Sequence, residues 1–374
     1  GWIVVDPLLT EEAAAAAMQL AQAKIGKRPI SAVLFSHSHA DHFGGVGGII
    51  SADEVKKRKV PVVAPHGFAE EAVSENVLAG NAMTRRSSYM FGTALAPGVE
   101  GRVDNGLGTG LSVGTTGYLA PNMLIGAEGG IKTIDGVRFD FLDAAGTEAP
   151  AEFLFYLPDF KVLHTTEVAV KTLHNILTLR GAQVRDALRW SKILDSALVK
   201  WGDSAEVQIA SHNWPTWGQA RVASYLENQR DAYRYVHDRT LGRANAGMTL
   251  HEVADGIAEP SAQQQAYASR GYYGTINHNM KATYQRYYGW WDGVPANFNP
   301  LPPVTAGKGY VELAGGGEAL LAAGKKALVI SNHTSLLDGP LLSAFMPERA
   351  AFAIDTQMAK KWWVKPAFAL VDLA

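Results

Sequence analysis

Three histidines and one aspartate lie within six residues, directly after an apolar run that predicts a buried strand. The motif occupies residues 37–42, reads His-Ser-His-Ala-Asp-His and precedes a phenylalanine and two glycines. On an extended turn, His37 and His39 can point toward one metal ion, while Asp41 and His42 can face a second ion about 3.5–4 Å away. This spacing suits a two-metal hydrolase. The alternative is a polar turn at a strand end in which the histidines gather by coincidence.

The elements around this motif predict an α/β fold, because strand and helix patterns alternate through the first half of the chain. A strand at 2–5 leads to an alanine-rich helix that begins near Thr10, and further strands are predicted at 31–36 and 59–64. Residues 92–130 are rich in Gly and Thr and predict a long loop, called the Gly-rich excursion below. A loop of this length usually carries function or packs on a neighbour.

Two hairpins and a change of pattern organise the rest of the catalytic half. Asp-Gly at 135–136 joins two alternating runs, and Pro-Asp at 158–159 turns between two further strands. A helix around 184–200 and a strand at 207–210 are predicted next. From Gln219 the sequence is mainly helical, which places the first domain boundary there.

Composition excludes several classes of protein. The 374 residues suggest two or three domains, and 47% hydrophobic with 19% charged residues is enough apolar content for a sizeable core. A net charge of −2 gives no electrostatic basis for nucleic-acid binding. The chain has no cysteine, so any metal must bind to His, Asp and Glu. No apolar run reaches the length of a transmembrane helix.

Both ends of the sequence lie within apolar, strand-like stretches, at Gly1–Asp6 and Val371–Ala374. We therefore expect the chain to be truncated at its N-terminus, so that the lack of a targeting signal carries no information. The compartment is left open, and a soluble periplasmic or secreted protein is the expectation.

The His-x-His-x-Asp-His motif after a strand resembles the signature of the metallo-β-lactamase superfamily, which implies an αβ/βα sandwich with a dinuclear metal site at its edge. Three further stretches, Leu-His-Asn at 173–175, Thr-Leu-Arg-Gly at 178–181 and Trp-Pro-Thr-Trp-Gly at 214–218, resemble the alkylsulfatase branch. Members of that branch are zinc-dependent class III sulfatases that hydrolyse dodecyl sulfate and related alkyl sulfates. The resemblance covers about residues 1–315.

The resemblance implies a ligand set for two Zn²⁺ ions. The ligands implied for the first zinc are His37, His39 and Glu148, those for the second are Asp41, His42 and His212, and Glu167 bridges the two ions. Most members of the superfamily have His and Asp where this sequence has Glu148 and Glu167, and the two glutamates favour the sulfatase branch. The alternatives are a turn acid at Glu148, a solvated acid at Glu167 and a core histidine at His212.

The same resemblance implies that Asn175, Arg180 and His278 lie near the sulfate group. Arg180 offers a planar pair of donors to two sulfate oxygens, and Asn175 offers an amide proton. The alternatives are a helix-surface arginine, an asparagine at a helix N-cap and an ordinary histidine at a helix start. His174 and Tyr118 are further polar candidates, whose roles the sequence does not separate.

The mechanism implied is hydrolysis by water that two zinc ions activate, because the metals lower its pKa toward neutrality. The spacing leaves open whether the water attacks carbon or sulfur. The alkyl tail requires an apolar channel, for which residues 83–91 and the Gly-rich excursion are candidates. A thioesterase or lactonase of the same fold is an alternative, although those enzymes usually keep His where Glu148 stands.

A helical dimerisation domain is implied after the metallo-β-lactamase-like catalytic domain at 1–218. Residues 219–314 resemble that domain of the alkylsulfatases, and their interleaved Tyr and Arg residues suit the interface of a homodimer. Solvated helix faces would have a similar composition. The glycine- and lysine-containing stretch at 315–326 is interpreted as a linker.

The last segment, residues 327–374, resembles a different family. A predicted strand precedes Asn-His-x-Ser-x-x-Asp-Gly, which resembles the first motif of glycerolipid acyltransferases of the acyl-glycerophosphoethanolamine type. The resemblance implies that His333 is a general base and that Asp338 orients its ring. A strand-to-helix cap is the alternative for this pair. We expect the short α/β fragment to be inactive alone, and a lysophospholipid acyltransferase is the alternative function of the chain.

Overall fold

The computed structural model describes residues 1–324. The chain divides into two compact units, Gly1–Gly293 and Val294–Ala374. The first unit contains two β-sheets, and helices pack on the outer face of each. Among the described residues, no helix combines the length and the apolar character needed to cross a bilayer.

The first sheet is parallel throughout. Its strands are, in spatial order, β1 (Trp2–Val5), β2 (Ile30–Leu34), β3 (Val62–Pro65) and β4 (Met123–Ile125). The helices that cross between them are α1 (Glu11–Ile25), α2 (Ala52–Arg58), α3 (Phe68–Val73) and α4 (Gly80–Met90). α1 begins beside Thr10 as predicted, and Thr10 caps it, because its side chain accepts the backbone N–H of Ala13. The carboxyl ends of β1 and β2 therefore lie side by side at one edge.

The second sheet contains both predicted hairpins. Its strands, which neighbour one another in chain order, are β5 (Gly130–Ile134), β6 (Val137–Asp143), β7 (Phe153–Leu157), β8 (Val162–His164), β9 (Val207–Ile209) and β10 (Thr216–Trp217). β8 and β9 are parallel, and the other neighbours are antiparallel. The first hairpin turns at Asp135 and Gly136, whose φ angles of 47° and 80° suit a two-residue hairpin turn.

The two sheets pack face to face through a layer of aromatic side chains. Ala32, Leu34 and Val63 of the first sheet belong to one hydrophobic cluster with four phenylalanines of the second. Those phenylalanines are Phe139, Phe141, Phe153 and Phe155. Together with the outer helices, this arrangement confirms the predicted αβ/βα sandwich.

Helices from the second half of the unit cover the outer face of the second sheet. They are α5 (Ala187–Trp201), α6 (Gln219–Asn245), α7 (Ser261–Gln265) and α8 (Ile276–Tyr288). Trp190 of α5 stacks on Tyr233 of α6 with ring centroids 4.3 Å apart, and its indole N–H donates to the carbonyl of Val168. The helical pattern predicted from Gln219 is therefore present, and α6 packs in the same core as the sheet.

The second unit begins at Val294, and its described part contains α9 (Pro303–Leu313) and α10 (Gly317–Gly324). α10 lies within the segment that the sequence analysis interpreted as a linker. The acyltransferase-like segment, with His333 and Asp338, lies outside the described residues.

Candidate functional site

β2 brings the histidine-rich turn to the carboxyl edge of the first sheet. After Leu34 the chain stays buried, and it turns in a short 3-10 helix at Ala40–His42. His37 forms an isolated β-bridge with Glu152, so the turn is also attached to the second sheet. The side chains of His37, His39 and His42 are consequently all buried.

Four side chains form the first metal-ligand group: His37, His39, Glu148 and Glu167. One ligand atom from each lies within 4.8 Å of the others. The Nδ1 of His39 is 2.9 Å from Oε2 of Glu148, and the Nε2 of His37 is 3.4 Å from Oε2 of Glu167. All four residues are buried.

The second metal-ligand group shares Glu167 with the first and adds Asp41, His42 and His212. Oε2 of Glu167 lies 3.2 Å from Nε2 of His42 and 3.3 Å from Nε2 of His212. Oδ2 of Asp41 lies 3.1 Å from Nε2 of His42. The structure therefore brings together all seven residues of the expected ligand set, with Glu167 common to both groups.

Several atoms of these groups have no hydrogen-bond partner in the described part of the chain. They are the Nε2 atoms of His37, His39, His42 and His212 and Oε2 of Glu148. A buried polar atom without a partner costs about 1–3 kcal/mol, which a coordinated cation would offset. Imidazole nitrogen and carboxylate oxygen are the ligand types of zinc and related divalent metals. The donor set therefore fits a metal centre.

Carboxylates determine the protonation of the histidines in the metal-free chain. Burial lowers the pKa of a histidine, but the charge of Asp41 outweighs burial and raises the pKa of His42 well above its ordinary value. Glu167 acts in the same way on His212 and raises its pKa to about 10. Both imidazoles therefore hold a proton at neutral pH until a metal displaces it.

One buried carboxylate, Glu152, fixes the backbone of both glutamate ligands. Its Oε2 accepts hydrogen bonds from the Thr147 hydroxyl at 2.9 Å and from the backbone N–H groups of Glu148 and Ala149 at 3.1 Å. Its Oε1 accepts the N–H of Glu167 at 3.3 Å. The segments that carry the two glutamate ligands are therefore joined at one side chain, which the sequence analysis did not identify.

Asp6, at the end of β1, is a second residue that the sequence analysis missed. Its carboxylate accepts hydrogen bonds from the backbone N–H and hydroxyl of Ser36 and from the hydroxyl of Ser211, and it lies 3.2 Å from Nδ1 of His42. Burial alone would raise the pKa of Asp6, but the contact with His42 outweighs it and lowers the pKa. The contact orients the His42 ring so that Nε2 faces the second metal-ligand group.

Arg180, the expected sulfate-binding arginine, lines the same cavity as the two metal-ligand groups. Its Nη1 donates to Oε2 of Glu75 at 3.1 Å and to the carbonyl of Gly181 at 3.0 Å. The Nε–Nη2 edge of the guanidinium makes no hydrogen bond with any residue that the structure describes. Two parallel donors on that edge can bind two oxygens of an anion.

Asn175 lies beside another arginine, Arg185, which the sequence analysis did not identify. Arg185 donates from Nη1 to Oδ1 of Asn175 at 2.7 Å and from Nη2 to Oε1 of Glu148. Arg185 lines the cavity, whereas Asn175 is not among the described residues that line it. The buried arginine therefore connects a metal-ligand residue to the asparagine that was expected near the sulfate.

The other polar candidates occupy different surroundings. Nε2 of His174 lies 3.0 Å from Oε1 of Glu167, so this histidine contacts the shared ligand. His278 lies in the first turn of α8, and its Nε2 is 2.9 Å from the carbonyl oxygen of Leu177. Neither His278 nor Tyr118 is among the described residues that line the cavity. The sulfate contact of His278 stays a prediction.

The cavity has a volume of about 510 Å³ and is lined both by metal-ligand residues and by apolar side chains. The apolar residues most relevant to a tail are Leu8, Met83, Phe91, Leu107 and Leu111. Four of these five come from residues 83–91 and from the Gly-rich excursion, the two stretches proposed for a tail channel. The lining therefore combines groups that suit an anion near metal with side chains that suit hydrocarbon.

Comparison with protein-family models gives three matches along the chain. The metallo-β-lactamase superfamily matches residues 1–212, the alkyl sulfatase dimerisation family matches residues 249–334, and an acyltransferase family matches residues 315–373. The order of the three matches agrees with the order of the three resemblances in the sequence. The acyltransferase match lies almost entirely outside the described residues.

Curated relatives are sulfatases. The alkyl/aryl-sulfatase BDS1 of Saccharomyces cerevisiae is 46% identical over 324 residues, which is 87% of this chain and 50% of the relative. A linear primary-alkylsulfatase of a Pseudomonas species is 46% identical, over 87% of this chain and 48% of the relative. Among solved structures, the inverting sec-alkylsulfatase Pisa1 of a Pseudomonas species superposes with a TM-score of 0.84 at 46% identity, over 86% of this chain and 51% of that one. The chain spans about half the length of these relatives.

The protonation of His42 and His212 predicts that metal binding releases protons. When Zn²⁺ is added to the metal-free chain at about pH 7, both imidazoles must lose a proton to coordinate. Calorimetric titrations in two buffers of different ionisation enthalpy measure this release, and a His212→Gln variant should release about one proton fewer. Zinc binding without proton release would contradict the assigned protonation.

The raised pKa of His212 also predicts a pH dependence of stability in the metal-free chain. Its contribution to the free energy of unfolding should be fully present below about pH 6.5 and should disappear as the pH rises through about 10.

The bonds of Glu152 predict a second effect. The two oxygens of Glu152 accept four hydrogen bonds, and Glu152→Gln replaces one of these oxygens with an NH₂ group that cannot accept. The free energy of unfolding should therefore fall by about 1–3 kcal/mol. Zinc affinity should fall about ten- to a hundredfold, because both glutamate ligands lose their backbone support. Urea unfolding and competition with a chelator measure the two effects, and Glu128→Gln, at an exposed turn, is the matched control. Unchanged zinc affinity in a folded Glu152→Gln variant would contradict this role.

Proposed function

Because the chain belongs to the metallo-β-lactamase superfamily, we propose that it hydrolyses alkyl sulfate esters to an alcohol and sulfate with two zinc ions as cofactor. The sulfatase names of the relatives support the reaction class. The observation that carries the proposal is the convergence of seven metal-ligand residues, six of which line one cavity together with Arg180 and apolar side chains.

The proposed zinc ligands divide as the two metal-ligand groups do. One zinc would be held by His37, His39 and Glu148, and the other would be held by Asp41, His42 and His212, with Glu167 as the bridge. Zinc in such a site supplies Lewis acidity and makes hydroxide accessible near neutral pH. The carboxylate in place of a histidine at Glu148 adds negative charge, which Arg185 partly balances.

The residues of the chain bind and orient the ester. The Nε–Nη2 edge of Arg180 binds two sulfate oxygens and stabilises the charge that grows on the departing group. Arg185 supports this end of the cavity by holding Asn175 and Glu148 in place. Met83 and Phe91 contact the alkyl tail and exclude water from the reacting end.

We also propose a homodimer. The match to the alkyl sulfatase dimerisation family at 249–334 supports it, as does the aromatic and arginine content of the helical stretch from Gln219. A second copy of the chain is therefore the expected partner, and the substrate is the expected small molecule.

A second candidate function is acyl transfer to a lysophospholipid by the C-terminal segment. The match to an acyltransferase family at 315–373 favours it, with His333 as base and Asp338 as its orienting group. The metal-ligand residues and the cavity lie within the metallo-β-lactamase match at 1–212, so sulfate ester hydrolysis remains the function that we propose for the chain.

Substitution of Arg180 tests the sulfatase proposal. Arg180→Ala removes a charge-assisted hydrogen bond worth about 1.5–3 kcal/mol, so sulfate release should fall about ten- to a hundredfold. Arg180→Lys keeps the charge without the paired donors and should recover only part of the loss. Bound zinc should not change, because Arg180 is no ligand. The measurement is sulfate release from dodecyl sulfate by zinc-loaded protein.

Two controls complete this experiment. Arg85→Ala removes an exposed arginine of α4 and should leave the rate unchanged, while His39→Ala should abolish both zinc binding and activity. Wild-type rates from Arg180→Ala would reject the anion role of Arg180. A zinc-loaded wild type that releases no sulfate but cleaves a thioester, a lactone or an acyl donor would reject the sulfatase proposal itself.

A further inference from the structure

Glu75 is a buried acid that lines the cavity beside Arg180, and neither the sequence motifs nor the proposed reaction gives it a role. It lies in a single π-helical turn, Ser74–Leu78, between α3 and α4, and it is 6% exposed. Turns of this kind often occur at functional sites because they displace one residue from the helical repeat. Here the displaced region lines the cavity beside the metal-ligand groups.

The two oxygens of Glu75 have different surroundings. Oε2 accepts the hydrogen bond from Nη1 of Arg180 at 3.1 Å and lies 3.5 Å from Nε2 of His39. Oε1 is buried and has no hydrogen-bond partner among the described residues. A carboxylate can only accept hydrogen bonds, so Oε1 offers nothing to the oxygens of a sulfate ester. Contact with the sulfate ester therefore does not explain why a carboxylate is buried at this position.

The ion pair changes what Arg180 presents to a ligand. Nη1 is occupied by Glu75, which fixes the guanidinium plane, while the Nε–Nη2 edge of this cavity-lining arginine has no hydrogen bond with any described residue. The negative charge of Glu75 also balances the positive charge of Arg180. The pocket consequently keeps two well-oriented donors, but it loses most of the electrostatic attraction that an unpaired arginine exerts on an anion.

Building on the proposed function, we infer that Glu75 is a specificity-determining residue, which makes the anion pocket select singly charged sulfate esters over doubly charged phosphate esters. A sulfate monoester carries one negative charge, whereas a phosphate monoester carries nearly two above its second pKa of about 6. Both groups are tetrahedral and offer similar oxygens, so hydrogen-bond geometry alone separates them poorly. A fixed carboxylate beside the pocket repels the second charge and thereby supplies the discrimination.

The experiment compares two ligands that differ in charge and are not hydrolysed. Octylsulfonate, with one charge, and octylphosphonate, with two at about pH 9, are titrated calorimetrically into the full-length, zinc-loaded chain. Glu75→Gln should shift the ratio of the two dissociation constants toward the phosphonate by about ten- to a hundredfold. Glu75→Asp, which keeps the charge, and Glu70→Gln, which removes an exposed charge from the preceding helix α3, should leave the ratio close to that of wild type.

Glu75→Ala is the second neutral variant, because water from the cavity can then solvate Arg180 if Gln packs poorly. Bound zinc is measured for every variant, so a shifted ratio at unchanged zinc content separates charge selection from damage to the metal centre. The inference is overturned if either folded neutral variant keeps the wild-type ratio, if Glu75→Asp shifts the ratio as far as Glu75→Gln, or if neither neutral variant folds, since Glu75 would then be structural. A shifted ratio in a chain that releases no sulfate from alkyl sulfates would support the selection while rejecting the proposed function.

Discussion

The structure depends on one constraint: four imidazoles and three carboxylates converge, mostly buried, at the edge of a sandwich whose two sheets pack through apolar side chains. Such a cluster is costly when its atoms lack partners, and several ligand atoms have none among the described residues. A divalent cation satisfies these atoms together, so the site favours metal binding as part of the stability of the fold. The raised pKa of His212 has the same origin, because carboxylates attract a proton where no metal balances them.

The surrounding framework holds these ligands in place. Asp6 joins the ends of the first and second strands and orients the ring of His42. Glu152 joins the two segments that carry Glu148 and Glu167. Arg185 balances the charge of Glu148. Each of these groups is a buried polar side chain with partners on separate elements. The site is therefore preorganised by the junction of the two sheets rather than by any single loop.

Local sequence patterns were enough to predict much of this architecture. The Asp-Gly turn, the cap at Thr10 and the alternating strands are local signals, and the compact His-x-His-x-Asp-His motif indicated the metal chemistry directly. The supporting residues give no such signal, because their partners are distant in sequence: 205 residues separate Asp6 from Ser211, and 105 separate Glu75 from Arg180. Only the aspartate could have been found, since it directly follows a strand parallel to β2. Charge balance between remote segments is a property of the packed chain, which periodicity and spacing do not encode.

The central claim is that Glu167 bridges two zinc ions between the two metal-ligand groups, and anomalous diffraction from crystals of the zinc-loaded chain tests it most directly. Data collected on both sides of the zinc absorption edge should give two peaks, each within about 2.0–2.2 Å of its histidine and carboxylate ligands and both bonded to Glu167. One peak should lie beside His37, and the other beside His212. A single peak that Glu167 does not contact, or two peaks away from these histidines, would contradict the account.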